Sequence, residues 1–333
     1  MLLMTKMVRS AFALLLIGLL SAAPAKAQLD VGSLDDLDNA LRVATQDYAD
    51  GYVQPVTDAF GAGMNSALFR TADAGGGIIP KIDVYVGVSV TGTLMASSNR
   101  SFLPQDGTIS SGGRTLRVDY DNVAVPTAFG EGSTDAQVRL VDEQTGATVA
   151  TAELPPGAVD TPVAPLIIPQ AGVGTVFGTD VMVRYLPETR LKGYGTIGVF
   201  GLGVRHSLSQ YIPMSPVDLA VQGVYNAISL KNQNVQGDVL DASGYAFNLQ
   251  ASKSLPVLPV TFYGGLQYET FTSEYAYEVD LGGEPLDVTL DQDATNSVRG
   301  LAGVSVTLAV VRLNVDYSLS ANDVITVGLG VQI

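Results

Sequence analysis

The sequence predicts an all-β protein: an antiparallel transmembrane β-barrel of about 12 strands, with a range of roughly 10 to 14, preceded by a short N-terminal helix. Three observations support this fold class. Long segments alternate apolar and polar residues with a period of two. The polar faces of these segments are rich in Gly, Ser, Thr, Asn and Gln, as expected for a polar lumen. The connections between them alternate between short and long, as in barrels with short periplasmic turns and longer outer loops.

Residues 1–27 have the pattern of an export signal. Lys6 and Arg9 precede an apolar run that is followed by a small-x-small cleavage site ending at Ala27. The apolar run is shorter than the ~20 apolar residues that a membrane-spanning helix needs. We therefore expect cleavage between Ala27 and Gln28 and export of the mature chain. An uncleaved N-terminal anchor helix is the alternative.

A short helix is predicted in segment 28–51, as a periplasmic helix or plug at the barrel end. Ser33 can cap it, and Asp36 occupies the capping-box position. The helix is expected to end near Tyr48–Gly51, since no convincing amphipathic helix follows Pro55. A loosely docked terminus is the alternative. Three leucines lie on one face of the predicted helix: Leu34, Leu37 and Leu41.

The barrel is predicted to occupy residues 52–333, and its strands are clearest at the C-terminus. Every second residue from Ile325 to Ile333 is Ile, Val or Leu, and the residues between them are Thr, Gly and Gln. The alternation changes phase between Val310 and Val311, which predicts a tight turn there. A soluble β-sandwich would show the same alternation. The apolar faces are nevertheless long enough for the ~9–11 residues that a tilted strand uses to cross a bilayer.

Two long segments interrupt the strand pattern. Segment 97–171 is irregular and proline-rich, and it could supply more barrel strands, an inward-folded plug or an outer subdomain. Segment 274–297 contains seven Asp or Glu residues and no Lys or Arg. We expect it to be an acidic outer loop in which 277–281 and 286–290 form a hairpin beyond the membrane.

Charged and amide residues on the polar faces are predicted to point into the lumen. A charge on the lipid face costs about 2–4 kcal/mol at mid-membrane, least for acids, so the inward orientation is preferred. These side chains could set the ion or solute preference of a pore, or they could form an interior network that closes the barrel. The predicted lumen-lining residues are Asp180, Arg184, Arg205, Asp218, Gln222, Asn226, Arg312, Asn314 and Asp316.

Aromatic residues near the predicted strand ends are candidates for the belt that membrane barrels place at the interface. Tyr185, Tyr263 and Tyr268 are among them, and the chain has no Trp. Ordinary β-core packing is the alternative for each.

The composition excludes several kinds of chemistry. The chain has no Cys and a single His, so thiol catalysis, cysteine metal sites and multi-histidine metal sites are absent. A Ser-His-Asp arrangement would have to use His206, and no G-x-S-x-G motif accompanies it. The net charge of −15 repels nucleic acid. We therefore expect no enzymatic activity, no catalytic or metal site and no cofactor.

Four short motifs resemble those of a family of exported proteins catalogued as a domain of unknown function in Bacteroidota and related bacteria. They are Tyr52-Val53-Gln54-Pro55, Phe60 to Asn65 (FGAGMN), Arg184-Tyr185-Leu186-Pro187 and Phe200 to Ser207 (FGLGVRHS). The resemblance covers roughly 48–333 and implies an outer-membrane β-barrel, without an established substrate or site. A more distant resemblance, through Gly172–Gly174 and the R-Y-x-P motif, is to long-chain fatty-acid transport barrels.

These observations predict a location in the cell outer membrane. The leading functional hypothesis is a porin-like channel or facilitated transporter for a small solute, including a hydrophobic one. The first alternative is a closed structural or surface-interaction barrel that acts through its acidic outer loops, and the second is an exported soluble β-sandwich binding protein. The expected partners are outer-membrane lipid, an unidentified small-molecule solute and the barrel-assembly machinery, which would engage the C-terminal strand.

Overall fold

A computed structural model describes residues 34–74, 83–111, 114–132, 134–154, 156–157, 159–175, 177–191, 195–231, 238–279 and 286–333. The predicted signal peptide, its cleavage site at Ala27 and Gln28, and the helix cap at Ser33 lie outside these residues. So does the tip of the predicted acidic hairpin, 280–285.

The described residues form one α-helix and seventeen strands, with two single 3₁₀ turns. The helix is α1 (Leu34–Met64). The strands are β1 (Asp83–Leu94), β2 (Ser101–Phe102), β3 (Gly107–Ser111), β4 (Arg114–Asp119), β5 (Val125–Pro126), β6 (Gln137–Asp142), β7 (Thr148–Glu153), β8 (Val163–Gly174), β9 (Thr179–Leu191), β10 (Gly195–Ser207), β11 (Asp218–Lys231), β12 (Asp238–Ser254), β13 (Val260–Val279), β14 (Leu286–Asp293), β15 (Val298–Leu308), β16 (Val311–Leu319) and β17 (Val324–Gln332).

Ten strands close into an antiparallel barrel in the order β1, β8, β9, β10, β11, β12, β13, β15, β16, β17 and back to β1. Strand β14 pairs with the far part of β13 as an extra strand outside the ring. The predicted fold class is confirmed, with a strand number at the lower end of the predicted range. A closed ring of strands also excludes the two-sheet sandwich that the alternation alone allowed.

The first and last strands join to close the ring. Strand β1 pairs with β17 from Tyr85 opposite Gln332 to Thr93 opposite Val324, and Val84 and Ile333 exchange both backbone hydrogen bonds at 2.9 Å. The predicted turn at the phase change is present, because β15 ends at Leu308 and Ala309 adopts the left-handed conformation at φ 55°.

The outer face of the barrel is covered by exposed apolar side chains. Along β1, the side chains of Val84, Val86, Val88 and Val90 are all exposed, and they alternate with buried or half-buried residues. Strands β16 and β17 repeat this pattern. A continuous apolar surface of this kind is unfavourable in water and is the outer surface of a membrane-spanning barrel. Of the predicted belt residues, Tyr185 and Tyr268 face outward, whereas Tyr263 is buried inside.

The two ends of the barrel differ in the length of their connections. At the turn end, the connecting residues are 175–178, 208–217, 255–259 and 309–310. At the loop end, the connections that the structure describes at least in part are 95–162, the segment from the far part of β13 through β14 to residue 297, and 320–323. The two longest connections, 95–162 and the one that contains β14, are thus both at the loop end, although 320–323 at that end is shorter than 208–217 at the turn end.

The chain divides into two compact units. The barrel unit contains residues 57–94, 163–273 and 293–333. The insertion unit contains the described residues 34–56, 95–162 and 274–292. Segment 97–171, for which three structures were considered, is divided: most of it belongs to the insertion unit, and Val163–Gly174 is barrel strand β8.

The insertion unit is built around a small sheet and the aromatic face of α1. Its four-stranded sheet has the order β3-β4-β6-β7, and β2 pairs with β5. Tyr48 stacks on Tyr52 with ring centroids 5.9 Å apart, and it contacts Phe102 at 5.3 Å and Tyr120 at 6.3 Å. The Tyr52 hydroxyl donates to the carbonyl of Pro156 at 2.9 Å. Burial raises the pKa of Tyr52 to about 12.

The prediction that the helix ends near Tyr48–Gly51 is wrong, because α1 continues through Pro55 to Met64. A proline inside a helix removes one backbone hydrogen bond, which favours an end there. Here the turns after Pro55 carry apolar residues such as Phe60 and Met64 that are fully buried. Burial of these side chains offsets the missing hydrogen bond, a tertiary effect that local sequence does not reveal.

Candidate functional site

The lumen of the barrel contains part of the chain itself. Residues 57–74, here called the plug, comprise the last turns of α1 and the irregular segment that follows. Almost every plug side chain is buried, Asp73 being the exposed exception. A ring of ten strands is of the size that holds one helix, as in 11-stranded cans with a central helix.

The plug runs along the barrel from the loop end to the turn end. Near the loop end, the Asp58 carboxylate accepts from the Thr295 amide at 2.8 Å, and the Thr93 hydroxyl donates to the Ala59 carbonyl at 3.1 Å. Near the turn end, the hydroxyls of Thr71 and Ser252 lie 3.3 Å apart. The contacts thus follow the chain through the full depth of the lumen.

Arg184 binds the C-terminal end of the helix inside the lumen. Its guanidinium donates to the carbonyls of Met64 and Ser66, each at 2.6 Å, and to the Asn226 amide oxygen at 3.4 Å. The side chain is fully buried. A helix end has unpaired carbonyls and a partial negative charge, both of which a cation satisfies. The last turn of α1 contains no basic residue, so the barrel wall supplies the cation.

Arg299 binds the same end of the helix from strand β15, which lies across the ring from β9, the strand of Arg184. It donates to the Ala62 carbonyl at 3.0 Å and also to the Ser66 hydroxyl. It forms an ion pair with Glu269 at 2.8 Å, and both side chains are almost completely buried. Because two charges are removed from water together, loss of either partner would leave an uncompensated buried charge.

A third arginine holds the plug near the turn end. Arg205 forms an ion pair with Asp180 and donates to the carbonyls of Thr71 and Asp73. Arg70, from the plug itself, stacks over the Tyr85 ring with its guanidinium carbon 3.9 Å from the ring centroid. These arginines therefore bind the plug to the wall and do not line an open path.

Amide side chains complete the contact between plug and wall. The Gln267 amide donates to the Asn65 carbonyl at 2.9 Å, and the Asn226 amide donates to the Asn65 side chain at 3.1 Å. Gln222 accepts from Asn248 at 3.3 Å and from Gln250 at 2.7 Å within the wall. The interface between plug and wall thus combines these hydrogen bonds with an apolar cluster, in which Leu68 and Phe69 of the plug pack against Met182, Val224, Ala246 and Tyr263 of the wall.

Glycines in the wall make room for inward tyrosines. A Cβ at Gly330 would lie 2.5 Å from the Tyr85 ring, and one at Gly303 would lie 2.6 Å from the Tyr263 ring. The Tyr263 hydroxyl donates to the Asp316 carboxylate at 2.9 Å. The glycines of these strands therefore accommodate side chains that fill the lumen beside the plug.

A cavity of about 20 Å³ lies beside the plug near the turn end, among Arg70, Asp180, Arg205 and Arg312. That volume is sufficient for one or two water molecules. Three arginines and two carboxylates, those of Asp83 and Asp180, line it, so the protein itself compensates most of the charge at this position.

All nine predicted lumen-lining residues lie on the inward faces of their strands, but they do not form one lining. Arg184 and Asn226 bind the helix end, whereas Arg205, Asp180 and Arg312 lie near the turn end. The remaining four are Asp218, which is half-buried opposite Ser252, Gln222 in the amide network, Asn314 opposite Gly328, and Asp316, bonded to Tyr263.

Sequence reasoning considered a plug in segments 28–51 and 97–171 but not in residues 57–74, and it missed several of the partners of the plug. Arg299, Glu269 and Gln267 occupy polar positions of alternating strands, so the alternation around them could have identified them as inward residues. The plug gave no such signal, because its short glycine- and alanine-rich run has no strand period.

His206 lies near the end of strand β10. Its Nδ1 is 2.8 Å from the Thr179 hydroxyl, and its Nε2 is 3.0 Å from the Tyr211 hydroxyl. Among the described residues, no group of three or more His, Asp or Glu side chains could hold a metal ion. Within the same residues, no helix has the length and apolar character needed to span a bilayer.

Acidic residues are concentrated in the insertion unit. Segments 95–162 and 274–292 contain 15 acidic and 4 basic residues, whereas the barrel unit contains 12 and 10. Two of the acids stabilise local backbone structure. Hydrogen bonds from the Thr145 and Gln144 amides hold the pKa of Asp142 below its usual value. The Asp121 amide and then Arg117 do the same for Asp119.

A comparison with protein families identifies a match over residues 4–333, to the family of unknown function DUF6588. The chain belongs to this family. The predicted membership of a family of unknown function is confirmed, whereas its distribution among Bacteroidota stays a prediction. No curated protein matches the chain.

Solved structures similar to this DUF6588 chain include outer-membrane proteins. A loop-deletion mutant of OmpT from Vibrio cholerae has 13% identity and a TM-score of 0.27, over 76% of this chain and 99% of that one. The transport unit of the autotransporter AIDA-I from Escherichia coli has 8% identity and a TM-score of 0.30, over 85% and 97%. OccK11 from Pseudomonas aeruginosa has 10% identity and a TM-score of 0.22, over 75% of this chain and 95% of that one. At TM-scores below 0.5, the assignment to a membrane barrel depends on the closed ring and its apolar outer face.

Proposed function

We propose that this protein is an outer-membrane barrel that is closed by its own plug and that presents the acidic insertion unit as an interaction surface. The observation that carries this proposal is the path of residues 57–74 through the lumen, held by three wall arginines: Arg184, Arg205 and Arg299. In a barrel filled in this way, the plug satisfies the inward side chains of the wall, so a bound solute is not required for stability. Its other unit is then the part available for binding.

The charge of the insertion unit indicates the kind of partner. Segments 95–162 and 274–292 together have a net charge of −11. Such a surface favours basic partners and increases their rate of association at low salt. We therefore expect binding to a cationic surface, with an affinity that decreases as salt is added.

Conductance in planar bilayers tests whether the barrel is closed. The wild-type protein should give no steady conductance, because the plug occupies the lumen. A variant lacking residues 34–74 should give stable open channels, since Arg184, Arg205 and Arg299 would then face water, in which their charges are solvated. Reversing the charges of Arg312 and Asp316 in that variant should change its ion selectivity.

A check of folding ensures that any difference in conductance between the two proteins does not come from misfolding. Wild type and variant are first compared by gel mobility with and without boiling, and only folded preparations are used. Steady conductance of the wild-type protein at low voltage would contradict a closed barrel. It would favour the porin-like hypothesis instead.

Transport by displacement of the plug is the second candidate. It is supported by the hydrogen-bonded part of the interface between plug and wall, because the hydrogen bonds from Gln267 and Asn226 can be replaced by water when the plug moves. Solute uptake into vesicles containing the wild-type protein, absent when the plug is cross-linked to the wall through cysteines at Thr71 and Ser252, would support this candidate.

A further inference from the structure

The direction of the plug has a consequence for the N-terminal segment. The plug begins at the loop end, where Asp58 contacts Thr295, and it reaches the turn end at Thr71. Strand β1 then begins at Asp83, also at the turn end, because Asp83 pairs with Gly174 beside the 175–178 turn. The chain that precedes Thr57 therefore enters the barrel through the loop end.

The connections indicate which end faces the outside of the cell. Membrane barrels have short turns on the periplasmic side and longer loops outside. Here the four connections at the turn end are at most 10 residues long, as in 208–217, whereas the loop end bears the insertion 95–162. The loop end is accordingly the outer end, if the barrel is inserted as proposed above.

We infer that the segment before Thr57 crosses the outer membrane through the lumen of its own barrel and is displayed on the cell surface, and that residues 57–74 remain inside as the plug. This inference rests on the proposed outer-membrane function and adds a translocation step to it. It also replaces the expectation of a periplasmic N-terminal helix.

The contacts of the plug explain how such a passage would stop. Among the residues that the structure describes, Arg184 and Arg299 of the wall supply the cations that contact the C-terminal end of α1, whose last turn has no basic residue. Both arginines bind carbonyls of residues 62–66. A chain moving through the barrel brings these carbonyls to the two arginines only when the end of the helix reaches their level. The buried pair of Arg299 and Glu269 then fixes the plug in that position.

The absence of cysteine makes the inference testable by labelling at single positions. We would introduce Ser33→Cys before the helix, Gln144→Cys in the exposed turn between β6 and β7, and Met214→Cys at the turn end, where the side chain is 99% exposed. Intact cells are treated with a maleimide joined to a polymer too large to pass through porins. Permeabilised cells provide the reference for complete labelling.

The inference predicts that Ser33→Cys and Gln144→Cys are labelled in intact cells to the same extent, and that Met214→Cys is labelled only after permeabilisation. Labelling of Gln144→Cys without Ser33→Cys would overturn the inference while leaving the proposed display of the insertion unit intact. Labelling of Met214→Cys alone would overturn both.

Two controls keep the result interpretable. Every variant must show the heat-dependent gel mobility of the wild-type protein, so that misfolded chains are not scored. If Ser33→Cys does not fold, Ala49→Cys in α1 reports on the same segment, because its side chain is half-exposed. Failure of that second cysteine to react in intact cells, beside a reactive Gln144→Cys, would equally overturn the inference.

Discussion

At the scale of single residues, two arginines of the barrel wall, Arg184 and Arg299, are best understood as helix caps. Arg184 has no ion pair among the described residues, yet it is fully buried. Its charge is compensated by the Met64 and Ser66 carbonyls and by the partial negative charge at the end of α1. An arginine that would line the lumen of an empty barrel is therefore occupied here by the end of the helix.

The pair of Glu269 and Arg299 gives the sharpest test at this scale. Glu269→Gln keeps the size of the side chain but leaves the Arg299 charge without its counter-ion. Breaking a buried pair in this way typically costs about 3–5 kcal/mol. We expect the folded gel band to convert to the unfolded one at a clearly lower temperature than in the wild type.

The matched control for that substitution is Glu188→Gln. Glu188 forms an ion pair with Lys231 at 2.7 Å, but its side chain is 61% exposed. Exposed pairs contribute roughly 0–1 kcal/mol, so the conversion temperature should change little. Equal shifts for the two variants would contradict the buried role of Glu269.

At the scale of elements, α1 and the β6–β7 turn show how side chains and backbone stabilise each other. The helix continues past Pro55 because both of its parts are packed by tertiary contacts. Tyr48 and Tyr52 pack in the insertion unit, and Phe60 and Met64 are buried in the barrel unit. The residue pattern that predicts a helix ends near Gly51, whereas the tertiary contacts extend the helix to Met64.

The turn after β6 predicts a response to acid. The Asp142 carboxylate accepts from the Gln144 and Thr145 amides at 2.9 Å, which lowers its pKa. A carboxyl group with a lower pKa in the folded state adds stability that is complete above its ordinary pKa of about 3.9. That stability is lost as the pH falls through the folded-state value.

Amide hydrogen exchange, corrected for the intrinsic pH dependence, measures this effect. We expect protection of β6 and β7 to decrease as the pH falls below about 4, before the barrel strands lose theirs. Asp142→Asn should remove most of this pH dependence, because an amide does not titrate. Glu143→Gln in the same turn should preserve it, and identical behaviour of the two variants would disprove the role of Asp142.

At the scale of the whole molecule, closure of the barrel is the dominant feature. All ten strands have both neighbours, so the ring has no free edge, and its backbone hydrogen bonds are satisfied within the protein. Such a ring resists detergent until it is heated. We predict that the outer-membrane fraction contains the protein as a compact gel band that moves to its full-mass position only after boiling.

Fractionation tests the same prediction from the other side. Recovery of the protein in the soluble periplasmic fraction, with identical mobility before and after boiling, would contradict a membrane barrel. As a control for loading and exposure to detergent, a known soluble periplasmic protein from the same cells should show no change on boiling.

Much of the barrel could be predicted from the sequence because its signals are local. The alternation from Ile325 to Ile333, the phase change at Val310 and the rhythm of short and long connections each depend on neighbouring residues. The inward direction of Arg184 and Asp316 followed from the same alternation. A period of two assigns each side chain to one face of a sheet, whatever the sheet encloses.

What the lumen contains was decided only by the tertiary structure. Residues 57–74 lack a regular period, and their partners, such as Arg184 and Arg299, lie more than a hundred positions away. The same is true of the acidity: composition gives a net charge of −15, but only the fold assigns most of it to the insertion unit. Local sequence sets which face a residue takes, whereas the closure of the ring sets what that face meets.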